Sequence, residues 1–258
     1  MEKAIGAGQH GRRSYKGIAH RATAGTDSRV IRSFYFLMSL LIAALVAYAF
    51  SQTIEQNLIH PSVPRPSVLY AHAVIFFGWV ALFMAQTALI QVRNIRLHRR
   101  LGLAGLAIGT AIPIVGIATA LTMARFNVGT GSNPHDDAAA FLVVPFNDMI
   151  FFSITFGLAV WWRRKPEFHR RLMFLATCLL TAAAFARFPF ITMDEFRFYA
   201  GVDLLILLGV GRDLFATRQV HVVYRSMLPI LVIAQVVTMA TFLHHPPIWM
   251  NIAGRLIG

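Results

Sequence analysis

The chain predicts an all-α integral membrane protein of about seven transmembrane helices, with a tandem helical-hairpin repeat. Three observations carry that prediction. Hydrophobic residues fill 57% of the 258 positions and charged residues only 14%, with a mean hydropathy of +0.60; soluble domains carry about 25% charged residues. The apolar residues fall into seven runs, each close to the ~20 residues that span a bilayer. The basic residues collect in short clusters between alternate runs, as the positive-inside rule requires.

The elements follow in order. Residues 1–30 are basic, Gly- and Ala-rich and without hydrophobic period, and predict a flexible cytoplasmic tail. Residues 31–258 predict a single transmembrane domain, with runs at about 31–51, 68–91, 101–123, 139–162, 172–190, 198–216 and 226–244. The first, third and seventh are uninterrupted. The fifth ends with Arg187, and the second, fourth and sixth hold polar groups. The topology turns on the sixth: without it the C-terminus would return to the cytoplasm. Ala47-Tyr48-Ala49 has the spacing of a signal-peptidase site, but the long tail before it argues against cleavage.

Charge orients the runs. Residues 1–33 hold seven Lys/Arg; the second loop holds Arg93, Arg96, Arg99 and Arg100. The fourth holds Arg163, Arg164, Lys165, Arg170 and Arg171, and the sixth holds Arg212, Arg218 and Arg225. That places 19 of 24 basic residues on one side. The N-terminus is predicted to be cytoplasmic and the C-terminus periplasmic, in a bacterial inner membrane. The same clustering accounts for the net charge of +13, so nucleic acid is not a predicted partner; membrane lipids are. Trp79, Trp161, Trp162 and Trp249 are expected partly at the interfaces, and Cys178 as a buried core thiol.

One phrase recurs. Leu97-His98-Arg99-Arg100-Leu101 returns 71 residues later as Phe168-His169-Arg170-Arg171-Leu172. Each copy follows an inward helix and a basic loop and opens an outward helix, so runs 2–3 and 4–5 form the predicted repeat. Both copies run the same way, which places any symmetry axis along the membrane normal. At a helix start, His98, Arg99, Arg100, His169, Arg170 and Arg171 combine fixed charge with free backbone N–H groups, an arrangement suited to lipid headgroups or other anions. The plainer reading is that the arginines snorkel and set topology. His98 and His169 carry a further alternative, ligation of a b-type haem between facing helix starts.

Ionisable groups inside spans are expensive and are candidates for function. His72, Asp148, Arg187 and Asp203 all fall in the predicted outer half. The expected pairing is Arg187 with a carboxylate, near His72, acting either as an ionic lock or as a ligand or proton site. Gln86 and Gln235 predict interhelical hydrogen bonds, and Gly102, Gly105, Gly109 and Gly116 a close-packed face on the third helix. Pro113, Pro145 and Pro229 predict kinks. His60, His135, His244 and His245 lie on the outer side without the ordered spacing of a metal site.

The only lysines are Lys3, Lys16 and Lys165, none in a span, which excludes a retinal Schiff base. P-loop, G-x-S-x-G and H-E-x-x-H patterns are missing, and no catalytic constellation is complete.

These pieces together resemble an uncharacterised family of bacterial predicted multi-pass membrane proteins. The resemblance rests on His72 with Trp79 and Gln86, on Leu97-His98-Arg99-Arg100-Leu101-Gly102, and on Pro145-Phe146-Asn147-Asp148. It continues through Phe168-His169-Arg170-Arg171-Leu172-Met173 and Ala186-Arg187-Phe188-Pro189, and more loosely through Arg212-Asp213. It implies a helical inner-membrane protein and no particular chemistry. The histidine pattern is also distantly similar to small b-type cytochromes. The expected function is an accessory or structural subunit of a membrane complex, with other membrane-protein subunits as partners. The alternatives are a small-molecule or lipid binder or transporter, and a haem- or quinone-binding redox protein.

Overall fold

A computed structural model describes residues 33–189 and 197–258. The predicted tail, 1–30, lies outside the described residues. Every regular element among them is helical. The chain runs α1 (Ser33–Ser51), a π-helical turn (Glu55–Ile59), α2 (Ser67–Gln91), α3 (Ile95–Gly129), α4 (His135–Phe141) and α5 (Val143–Trp161). It continues through α6 (Pro166–Leu179), α7 (Ala182–Phe185), α8 (Arg197–Thr217), α9 (Val222–His244) and α10 (Pro247–Ile257). Six helical stretches are long and apolar enough to cross a membrane: α1, α2, α3, α4 with α5, α6 with α7, and α9. They are those of a multi-pass membrane protein.

The breaks have local causes. Arg93 takes φ 62° and turns the chain between α2 and α3. Asn94 then caps α3, its side chain accepting from the Leu97 N–H at 3.1 Å. With that cap the helix starts at Ile95, before the predicted 101, and its 35 residues reach about 52 Å, well beyond the hydrocarbon thickness. Pro166 opens α6 at its first turn, where a missing N–H costs nothing. His245 at φ 47°, followed by Pro246 and Pro247, ends α9 and starts α10. That last helix is short and amphipathic, and the seven-run reading did not foresee it.

The predicted sixth run is the helix α8, but it is not among the six apolar stretches. Arg197, Asp203, Arg212 and Asp213 make it too polar.

α2 packs on α3 and α5 on α6 as two hairpins, with α3 against α5 and α8 against both α6 and α7. α6 is central: Leu172, Phe174, Leu175, Ala176 and Cys178 are all buried. α1, α5, α8 and α9 surround it through the largest apolar cluster. Large apolar side chains face outward on the long helices, among them Val74, Leu103, Ile114, Leu204 and Ile233. Lipid tails, not water, are the solvent that makes such a surface favourable.

Trp79 is not interfacial. It is 2% exposed and meets Phe152 and Phe156 edge-on at 5.5 and 5.6 Å, with its indole N–H donated to Thr177 Oγ1 at 3.3 Å. The small-residue face of α3 does bring helices close, at two positions. The Phe156 ring of α5 occupies the place a Cβ at Gly109 would take, and Met149 does the same at Gly116. Nothing lies within 4 Å of a Cβ built at Gly102.

That contrast sets an expected outcome. Gly109→Ala should destabilise the detergent-solubilised protein by about 1–3 kcal/mol, because Phe156 must leave its aromatic contacts. Gly102→Ala should be neutral or slightly stabilising. Equal unfolding midpoints for the two variants would refute the close approach.

Candidate functional site: an ionic lock and an uncharged cavity

The second copy of the repeated phrase does not meet headgroups through Arg171. Arg171 sits one turn into α6 with its side chain 2% exposed. Its Nε and Nη2 donate to the two carboxylate oxygens of Asp213 on α8, at 2.8 and 2.7 Å. Its Nη1 donates to the backbone oxygen and Oε2 of Glu167, both at 2.8 Å. Arg212 adds a third contact to Asp213, from Nη1 to Oδ1 at 2.6 Å. Arg170 pairs with Glu167. A guanidinium with every face engaged has nothing left for a lipid phosphate, so Arg171 is an interhelical clamp and not a snorkelling cation. Arg99 and Arg100, in the first copy, are exposed.

His169 Nδ1 donates to the Ala159 carbonyl at 2.8 Å, leaving Nε2 free. His98 is within electrostatic reach of His169, and its Nδ1 is buried without a partner.

At the other end of the bundle the four predicted intramembrane residues do not form one cluster. Arg187 pairs with no carboxylate among the described residues. Its Nε donates to Thr53 Oγ1 at 3.1 Å, its Nη1 to the Ala183 carbonyl, and its guanidinium lies 4.2 Å over Phe50. It pins the end of α1 to α7. Asp148 accepts from the Tyr199 hydroxyl at 2.8 Å, joining α5 to α8, with Asn147 at 3.4 Å from both. Asp203 accepts from Gln235 Nε2 at 3.1 Å, joining α8 to α9. Each polar group found a neutral partner close by, and the expected ion pair was not needed.

His72 bonds to none of these, though Arg187 lies within electrostatic reach of it, as expected. Its ring stacks on Phe76 at 4.0 Å and 25°, and its Nδ1 is buried with no hydrogen-bond partner. It lines a cavity of about 200 Å³ between α2, α3, α4 and α5. The other walls are mostly apolar and small, such as Gly116, Ala120, Ala124 and Ala138, with Asn127 and Asn133 as polar neighbours. Apart from His72 no lining side chain is titratable. Asp148 and Arg187 are not among them. Among the described residues no three His, Cys, Asp or Glu side chains gather as a metal site would require.

Sequence reasoning gave Asp213 no role beyond the resemblance and missed Glu167, Tyr199 and the cavity. A signal existed for the first two: Glu167 stands four residues before Arg171, and Asp213 near the end of α8 matches the predicted depth of the α6 start. Comparison with protein-family models, with curated proteins and with solved structures finds no match.

The ionic lock carries an expected stability order. Arg171→Met leaves a buried carboxylate short of its main partner and should cost about 3–5 kcal/mol in unfolding free energy. Asp213→Leu strands both Arg171 and Arg212 and should cost more. Denaturant titration of the purified protein reads both; an Arg171→Met variant within about 0.5 kcal/mol of the parent would show that the clamp carries no stability.

Proposed function

We propose that the chain is a seven-helix membrane protein that binds a small, uncharged, amphipathic molecule in the His72 cavity. The observation that carries this reading is the unpartnered His72 nitrogen beside a pre-formed, largely apolar space. An apolar cavity of about 150 Å³ is enough to hold benzene, so this one suits a molecule of about one ring. Ligand sites pair apolar walls with a few polar groups that fix orientation, and His72, Asn127 and Asn133 fill that part. No lining side chain carries a fixed charge, so an uncharged molecule suits the space best. A ring carrying a carbonyl or hydroxyl, such as a quinone or phenol head, would satisfy the imidazole. This reading is placed ahead of the accessory subunit because the cavity gives it a defined site.

The topology is part of the proposal. α8 counts as the seventh crossing because one end meets Asp148 through Tyr199 and the other meets Arg171 through Asp213. Its 21 residues span about 31 Å. With that crossing the N-terminus is cytoplasmic and the C-terminus periplasmic in a bacterial inner membrane, and the α2–α3 and α5–α6 hairpins are the tandem repeat. The cavity then opens in the outer half.

The test compares single-ring probes on purified protein: phenol, a short-chain benzoquinone and toluene. Phenol and the quinone should raise the melting temperature more than toluene. His72→Leu should weaken the two polar probes roughly 2- to 10-fold, the worth of one hydrogen bond, and leave toluene unchanged. Ala120→Phe, which fills the space, should abolish all three responses. Probe responses that survive Ala120→Phe would sink the reading.

The electrostatic reach between His98 and His169 motivates a second reading, a bis-histidine b-type haem. Metal-bound imidazoles commonly donate the remaining N–H to a backbone carbonyl, as His169 does to Ala159. An absorption spectrum of membranes and purified protein decides it. A Soret band lost in both His98→Ala and His169→Ala would support haem; the absence of any band removes it.

A further inference from the structure

Around the ionic lock, four helices bring together more cation than anion. Arg170 and Arg171 come from α6, Arg212 and Asp213 from α8, Tyr35 from α1 and Tyr224 from α9. Three guanidiniums share two carboxylates, Glu167 and Asp213. Those carboxylates are already engaged: Asp213 Oδ1 takes both Arg171 and Arg212, Oδ2 takes Arg171, and Glu167 Oε2 takes Arg170 and Arg171.

What remains idle can donate. Arg212 Nε and Nη2 and Arg170 Nε are buried without a partner, and the buried hydroxyls of Tyr35 and Tyr224 meet only each other, which leaves one O–H to donate. The Arg212 side chain is only 3% exposed. These groups gather about one ring: the Arg170 and Arg212 guanidiniums lie 5.9 and 5.8 Å from the centre of Tyr35, and the Tyr224 hydroxyl neighbours that of Tyr35. Gly209 leaves the space that the Tyr224 hydroxyl occupies.

A buried guanidinium with two idle N–H groups is unfavourable, and so is a surplus of buried positive charge. One anion with several acceptor oxygens relieves both. A phosphate group fits better than a halide, because its oxygens can meet a guanidinium fork and a tyrosine hydroxyl from different directions. The cluster also reaches the protein surface at one edge. On the Glu167 side the cluster opens, with Glu167 57% and Arg170 24% exposed. On the proposed topology that opening lies at cytoplasmic headgroup depth.

We propose that Arg212, Arg170, Tyr35 and Tyr224 bind a single phosphate group, offered either by an anionic lipid headgroup or as the free ion. The site is separate from the His72 cavity and stands or falls independently of it. Arg171 positions the site by holding Asp213, and takes no direct part.

The experiment has two arms. Delipidated protein in detergent is melted in sodium phosphate and in sodium chloride at matched ionic strength. The same protein in nanodiscs of pure phosphatidylcholine, or of phosphatidylcholine with phosphatidylglycerol, is melted and then released for native mass spectrometry. Stabilisation by phosphate in detergent identifies the free ion. Stabilisation only with phosphatidylglycerol, with one retained lipid per chain, identifies a headgroup. Either outcome supports the site. Arg212→Lys keeps the charge that faces Asp213 but loses the fork, and should weaken the response about tenfold. The Tyr35→Phe, Tyr224→Phe double variant keeps both rings and should also weaken it, which covers the case in which Arg212→Lys fails to fold. Exposed Arg255→Gln, on α10, should respond as the parent does. A parent that responds to neither phosphate source, or variants that retain its full response, would overturn the proposal.

Discussion

A charge inside an apolar bundle must be neutralised where it sits, and the Arg171–Asp213 pair is where this protein meets that demand. The bidentate geometry leaves little freedom in how α6 and α8 are placed along their axes. A slip of one residue in either helix would turn the partner away, at a cost of several kcal/mol. Other contacts build on that register. Tyr35 brings the start of α1 between Arg170 and Arg212, and Tyr224 brings the start of α9 beside Gly209. At the far end of α8, the Tyr199–Asp148 and Gln235–Asp203 hydrogen bonds close on α5 and α9.

The two ends of the bundle use opposite solutions. Near the α6 start, many charges compensate one another at short range. Around His72, the cavity lining carries no fixed charge and small side chains leave space. The cavity persists because Gly116, Ala120 and Ala124 recur at intervals of four along α3 and leave space beside Met123 and Asn127. Nearby, α4 and α10 form their own small core with Ala138, Ala139, Leu142, Ala253 and Ile257. Trp249 anchors α10 by donating to the Ala139 and Ala140 carbonyls at 3.2 and 3.3 Å.

Much of the helical layout was legible in the sequence, because apolar length and loop charge report directly on the solvent each segment meets. Six runs correspond to apolar helical stretches among the described residues. Rotation about each helix axis was not legible. It decides whether Arg171 faces lipid or Asp213, and whether Arg187 meets a carboxylate or Thr53 and Phe50. Trp79 misled for the same reason: its residue type favours interfaces, but its position on α2 faces α5 and α6. α10 was hidden because 11 residues after a double proline carry too short a pattern to register as a span. The His72 cavity is invisible to any one-dimensional reading, since its walls come from α2, α3, α4 and α5.

The polarity of α8 has a consequence for how the protein is made. On the proposed topology this helix must enter the bilayer with Asp203, Arg212 and Asp213 aboard, and a charge costs roughly 2.5–3.5 kcal/mol at a helix centre, less toward the ends. Its neutralising partner, Arg171, is synthesised 42 residues earlier. The membrane therefore receives α6 first, with Glu167 alongside to hold its guanidinium, and α8 joins by docking onto a helix already in place. The order of residues along the chain doubles as an assembly schedule, in which the least insertable segment arrives only after its counter-charge is waiting.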